Sequence, residues 1–211
     1  IGSSSEGLIY CYLYKAIIIV LKNTKKHKSG FISIIGNPNV GKSTLMNALV
    51  GKELSIITTK AQTTRHRILG IVNGEGFQMI LSDTPGVIKP AYEMQSSMMN
   101  FVKEALVDAD VLIYMVTAEE SELKDEKLFE RIKKSKAPLF ILINKIDLSS
   151  QALVEKTVAH WQSVFPVAKV CPISALTGFF IPELLNLLIE LLPSSPPYFP
   201  KDQLTDKPER F

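Results

Sequence analysis

The sequence predicts a doubly wound α/β domain with a mostly parallel, six-stranded sheet and one antiparallel strand. Three observations predict it. Short apolar runs rich in β-branched residues alternate with segments of helical length, the signature of a sheet covered on both faces. A loop containing two glycines, "GNPNVGKST", Gly36 to Thr44, separates the first such run from the first helix. The second and third runs are joined by "NGEG", Asn73 to Gly76, a hairpin signal that makes one strand antiparallel.

The elements follow in order. Phe31 to Ile35 reads as the first strand, and Lys42 to Val50 as a helix with Leu45, Ala48 and Leu49 on one face. Leu54 to Arg65 is Thr-rich and aperiodic, hence a loop. His66 to Val72 and Phe77 to Ser82 form the hairpin strands, and an irregular stretch after Asp83 reaches Tyr92, with a helix following to near Val107. Strands Val111 to Thr117, Leu139 to Asn144 and Lys169 to Ile173 then alternate with helices Leu123 to Lys134, Ala152 to Phe165 and Ile181 to Leu192. "PSSPPYFP", Pro193 to Pro200, cannot continue a helix and reads as a linker.

Length and composition agree with one domain and its appendages. The 211 residues are 46% hydrophobic and 21% charged, which excludes a disordered or fibrous chain. The net charge of +3 is too small to argue for nucleic-acid binding by itself. Cys11 and Cys171 stand far apart without a CxxC or a His at metal spacing; neither a disulfide framework nor a zinc site is suggested, and a reducing, cytoplasmic setting fits. Residues 1–27 read as an N-terminal extension, non-native or disordered. Its apolar run Leu8 to Leu21 contains Lys15 and is shorter than the roughly 20 positions a spanning helix needs. No stable membrane span is expected; a peripheral contact at the inner membrane is the alternative. Residues 28–193 are the domain proper, and 194–211 are the linker and the start of whatever follows.

Gly36 to Ser43 matches G-x-x-x-x-G-K-[ST] in full, between a strand and a helix. The candidate phosphate-binding residues are therefore Gly36, Asn37, Pro38, Asn39, Val40, Gly41, Lys42, Ser43 and Thr44. Backbone N–H groups and the helix N-terminus hold phosphate oxygens, Lys42 places a cation on the β and γ phosphates, and Ser43 offers an oxygen to Mg²⁺. Pro38 has no N–H to give; Asn37 has no assigned role. Asp83 ends an apolar strand and begins "DTPG", Asp83, Thr84, Pro85 and Gly86, followed by Val87. A carboxylate at that end of a strand suits the Mg²⁺ water shell, and the Gly86 N–H is free to meet a γ-phosphate.

"NKID", Asn144, Lys145, Ile146 and Asp147, ends another strand and decides the base. Guanine presents two adjacent donors that one carboxylate, Asp147, accepts together. Adenine would set an acceptor against that charge, which disfavours an ATP-using enzyme. Lys145 can lie along the base plane, and Asn144 can tie this loop to the phosphate loop. "SAL", Ser174, Ala175 and Leu176, follows the last strand, with the Ala175 N–H available to guanine O6.

The ordered set GNPNVGKS, DTPG, NKID and SAL resembles that of the translation-factor-like class of regulatory P-loop GTPases. "KAQTTRHRILGIV", Lys60 to Val72, with "LTDKPERF" at the end, is similar to the Era family of bacterial ribosome-assembly GTPases, over about Lys28 to Phe211. The resemblance implies a monomeric switch that hydrolyses GTP to GDP and phosphate. It also implies a role in 30S ribosomal subunit assembly and 16S rRNA maturation, with rRNA held mainly by a KH-type module after the linker. No G-x-x-G clamp of such a module occurs in this sequence. The family implies Thr64, or alternatively Thr63, as a second hydroxyl on Mg²⁺, so that Ser43, Thr64 and Asp83 form the metal set. Val87 stands where Ras-like relatives carry a water-orienting glutamine, which implies slow intrinsic hydrolysis or a module acting by nucleotide occupancy. Asn39 matches a residue that in some relatives helps bind K⁺, although turn geometry alone accounts for an Asn there. Lys42, Asn39 and Thr64 are thus the candidate catalytic residues.

Overall fold

The strand at the centre of the sheet, β1 (Lys28–Gly36), is apolar on both faces, as a parallel strand between helix layers must be. The computed structural model describes residues 27–51, 68–84, 87, 104–120 and 126–202. The expectations placed on residues 1–26, on the loop to Arg65, on 88–92 and on the tail after 202 lie outside these. The remaining strands are β2 (Ile68–Gly74), β3 (Phe77–Asp83), β4 (Val111–Thr117), β5 (Leu139–Asn144) and β6 (Lys169–Pro172). They make a six-stranded sheet in the order β2-β3-β1-β4-β5-β6. β3, β1, β4, β5 and β6 run parallel, and β2 alone pairs antiparallel, with β3. The hairpin is closed by Glu75 and Gly76, with Gly76 at φ 77, the left-handed geometry that such a turn requires.

The helices are α1 (Lys42–Val50), α2 (Glu126–Lys134), α3 (Gln151–Val164) and α4 (Ile181–Leu191). Ser150 caps α3 by accepting the Leu153 N–H. Residues 104–108 are helical as well. Strand alternation sends side chains to opposite faces. Ile32, Ile34, Ile113, Met115, Phe140 and Leu142 pack with Leu45, Leu49, Leu184 and Leu188 of α1 and α4. Ile35, Leu112, Tyr114, Val116, Ile141 and Ile143 pack with Leu128, Ile132, Trp161 and Phe165 of α2 and α3. Each such fully buried aliphatic side chain stabilises the fold by about 1.5–3 kcal/mol, so both helix layers are needed. Trp161 is wholly buried and meets Tyr114 edge-on at 5.2 Å. No helix of the described residues is long and apolar enough to cross a membrane.

Element ends differ from the sequence reading by a few residues in several places, and two differences have tertiary reasons. β1 begins at Lys28 rather than Phe31, because Lys28, Ser29 and Gly30 pair with Phe77, Gln78 and Met79 of β3. The segment read as a linker lies against the same end of the sheet. Ser29 N–H donates to Pro193 O at 3.1 Å, Ser195 N–H donates to His27 O at 3.1 Å, and Lys28 bridges Ser194. Gln78, fully buried, then takes the N–H groups of Tyr198 and Phe199 on Oε1 at 2.7 and 2.9 Å. Its Nε2 donates to Phe199 O and Asn73 Oδ1, both at 2.8 Å. A buried amide with every position bonded has no cheaper alternative, so one glutamine fastens the stretch after α4.

Candidate functional site

Parallel strands deliver their carboxyl ends to one edge, and the candidate residues gather there, beyond β1, β3, β4, β5 and β6. The loop from Asn37 to Gly41 turns directly from β1 into α1. Two glycines are required by contact as much as by conformation. A Cβ on Gly36 would collide with the Met115 carbonyl, and Gly41, at φ 101, lies against the Asn144 side-chain amide. Asn39 is exposed at φ 64, a left-handed conformation that asparagine tolerates better than most residues. Turn geometry is therefore a sufficient reason for asparagine at this position.

Lys42 opens α1 and is only 6% exposed. Its Nζ donates to Asn37 O at 2.9 Å and Gly36 O at 3.2 Å. Burial pushes the ammonium down to about 8, while the charges of Asp83 and Glu120 act in the opposite direction. A cation so poorly hydrated gains strongly from incoming phosphate. Beside it, Ser43 Oγ donates to Asp83 Oδ2 at 2.8 Å, which brings together an alcohol and a carboxylate from two different elements. A hydroxyl and a carboxylate are both hard oxygen donors and suit Mg²⁺, which takes few protein ligands and keeps the rest as water and phosphate. No cluster of three His, Cys, Asp or Glu that could hold a metal occurs among the described residues. Thr84 Oγ1 donates to Ile34 O at 2.7 Å and so fastens the start of DTPG to β1. Val87 N–H donates to Gly36 O at 3.0 Å. The Val87 side chain is fully buried in the α2–α3 core layer, so it offers nothing to a water.

The second half of the site begins where β5 ends. Asn144 is 3% exposed and bonded at both ends: Nδ2 donates to Val40 O at 2.8 Å, and Oδ1 accepts the Ala175 N–H at 2.9 Å. It thereby joins the loops of 36–44, 144–147 and 174–176. The Ala175 N–H, read from sequence as a donor to guanine O6, is the group that Asn144 Oδ1 accepts here. Lys145 has φ 63 and starts the 3-10 turn Ile146–Leu148 within one residue of the strand. Of the three non-glycine residues at positive φ among those described, two, Asn39 and Lys145, lie in the site; such strain concentrates at functional positions. Asp147 is exposed, and Ser174 Oγ donates to its Oδ1 at 2.6 Å. Thr177 N–H donates to Ser174 Oγ at 3.2 Å, which fixes the serine in turn. Leu176 is exposed beside it.

Thr64, Pro85 and Gly86 lie outside the described residues. One residue that sequence reasoning passed over is Glu120, which receives Asn37 Nδ2 at 3.0 Å and the Thr117 N–H at 3.1 Å. Its position just beyond a parallel strand is the only local signal that it had.

Comparison with known proteins places these features in context. The family model described as 50S ribosome-binding GTPase matches residues 31–145. GTPase Era of Clostridium kluyveri is 40% identical over 185 residues, 87% of this chain and 63% of the relative. A crystal structure of Era in complex with MgGDPNP and nucleotides 1506–1542 of 16S ribosomal RNA aligns with a TM-score of 0.81 and 39% identity, over 86% of this chain and 63% of that one. A point variant of Era from Aquifex aeolicus bound to GDP and aluminium fluoride aligns at 0.80 and 39% identity, over 86% and 62%. The chain thus spans less than two thirds of the length of these relatives.

Proposed function

The chain belongs to the 50S ribosome-binding GTPase family, and from that premise we propose that it binds GTP with Mg²⁺, hydrolyses it to GDP and phosphate, and works as a switch in ribosome assembly. The single observation that carries the reading is Asn144, whose two hydrogen bonds make the phosphate loop and the base-reading loops one unit. Binding one end of a nucleotide therefore organises the other.

In this reading Lys42 meets the β and γ phosphates, and the N–H groups of the loop and of the first turn of α1 hold the phosphate oxygens. Ser43, Asp83 and Thr64 hold Mg²⁺, which when bound neutralises charge on the phosphates. Asp147, held by Ser174, accepts the two guanine donors, with the Lys145 stem along the base. Thr84 keeps the start of the DTPG segment registered to β1, and the Gly86 N–H is the group assigned to the γ-phosphate. With Val87 buried, water is positioned by other groups; Asn39 with K⁺ is the arrangement proposed.

The relative bound to 16S ribosomal RNA favours the 30S subunit and its RNA as partners, despite the 50S wording of the family description. Most of that contact is assigned to chain beyond the linker, in a KH-type module, with residues 28–193 as the GTPase domain, monomeric and cytoplasmic.

Multiple-turnover phosphate release from GTP, with Mg²⁺ and either K⁺ or Na⁺ at equal ionic strength, tests the reading. Turnover that is faster in K⁺, and whose K⁺ response is lost in Asn39→Ala, is expected. Tight GDP binding without turnover in either salt would replace hydrolysis by occupancy, and equal affinity for ATP would overturn the base assignment.

A further inference from the structure

Glu120 stands outside every nucleotide motif, yet both of its carboxylate oxygens are used. Thr117, the last residue of β4, donates its N–H to Oε2 at 3.1 Å, and Asn37 donates Nδ2 to Oε1 at 3.0 Å. β4 is the neighbour of β1 in the sheet, with Met115 opposite Gly36. The chain leaves β1 toward β2 and β3 and leaves β4 toward β5, so the Asn37–Glu120 bond crosses the crevice where α/β sheets bind ligands. Asn37 is 3% exposed; its amide has little water to exchange for the carboxylate, and the bond is charge-assisted.

The backbone of Asn37 continues the chain of contacts. Its carbonyl accepts from Lys42 Nζ at 2.9 Å, beside Gly36 O at 3.2 Å. These two carbonyls fix where a buried ammonium sits, and rotation of the Asn37 peptide would remove the nearer of them. The charge of Glu120 also favours the protonated lysine against its burial.

We propose that Glu120 is a positioning residue for Lys42: through Asn37 it holds the carbonyl pair that aims the ammonium at the phosphate site. The proposal rests on the nucleotide reading above. It gives a role to the buried asparagine at the second position of the loop.

The test compares wild type with Glu120→Ala, Glu120→Gln, Asn37→Ala and the Asn37→Ala/Glu120→Ala double variant. Affinity for GDP with Mg²⁺ is one readout, and hydrogen exchange of the amides of 37–43 in nucleotide-free protein is the other. Loss of a hydrogen bond to a charged group predicts that Glu120→Ala weakens GDP binding about 10- to 100-fold, with faster exchange in the loop. Glu120→Gln, which keeps an acceptor oxygen for Asn37, recovers part of the affinity and most of the protection. The double variant binds no more weakly than Glu120→Ala alone, because one relay is broken only once. Wild-type affinity and exchange in Glu120→Ala, no recovery in Glu120→Gln, or losses that add in the double variant would each overturn the proposal. Should the wild type bind no guanine nucleotide, the functional reading fails, while loop exchange in the nucleotide-free variants still decides the role of Glu120.

Discussion

At the proposed phosphate end of the site the cation, Lys42, is buried and held by two backbone carbonyls; at the proposed base end the anion, Asp147, is exposed and held by one serine hydroxyl. Each polarity suits its ligand. Phosphate is charged and is best met by a desolvated cation whose attraction little water screens. Guanine is neutral, and an exposed carboxylate keeps its hydration until the two base donors replace it. The phosphate end therefore carries a standing cost in the empty protein that the base end does not.

Lys42→Met is expected to give the largest effect. Removing one partner of a buried charge contact costs about 2–5 kcal/mol of binding, roughly 30- to several-thousand-fold weaker GDP affinity by titration calorimetry. The empty protein should respond in the opposite direction. The folded ammonium loses its proton near 8, whereas the unfolded lysine keeps it to its ordinary 10.5. Between those values the unfolded chain binds more protons, so the stability of the wild type rises with pH across this window. The stability advantage of Lys42→Met over wild type should shrink by about 3 kcal/mol from pH 8 to 10.5, measured by urea unfolding with Trp161 fluorescence. A constant difference across that window would erase the contrast between the two ends.

Asp147→Asn comes next. One amide cannot accept from both guanine donors, and the mismatch leaves a donor facing a donor; about 2–3 kcal/mol of GDP affinity, near 100-fold, should be lost. Xanthosine diphosphate, which offers one donor and one acceptor at those positions, should gain instead. Ser174→Ala is the mildest change: it removes one hydrogen bond to an exposed carboxylate, worth about 1 kcal/mol or 5-fold in affinity. A Ser174→Ala loss as large as that of Asp147→Asn would mean that the base end depends on preorganisation as strongly as the phosphate end does.

Much of the site was legible because its signals are local. The strand, loop and helix around Gly36 to Ser43 lie within one stretch of chain, and their glycines, lysine and serine have chemical reasons independent of the rest. The same holds for Asp83 and for Asn144 to Asp147, each directly after an apolar strand. The side chain of Asn37 was not legible, since its partner Glu120 is 83 residues away and an isolated glutamate in "TAEES" reads as a solvated surface residue. The contact of Ala175 with Asn144 was not legible for a similar reason. The Ala175 N–H is free in sequence, but the fold brings Asn144 Oδ1 to it.

The sequence by itself determined the periodicity of strands and helices, the hairpin that reverses β2, and the identity of the candidate groups for phosphate and guanine. These depend on side-chain type and on spacing of a few residues, where backbone sterics and hydrogen bonding act directly. Tertiary structure alone decided that β4 lies beside β1, so that Glu120 reaches Asn37. It also decided that Gln78 fastens Tyr198 and Phe199 against the far end of the sheet. Both decisions pair polar groups across long stretches of chain, and burial makes those pairings specific: a polar group denied water takes the partner that packing supplies.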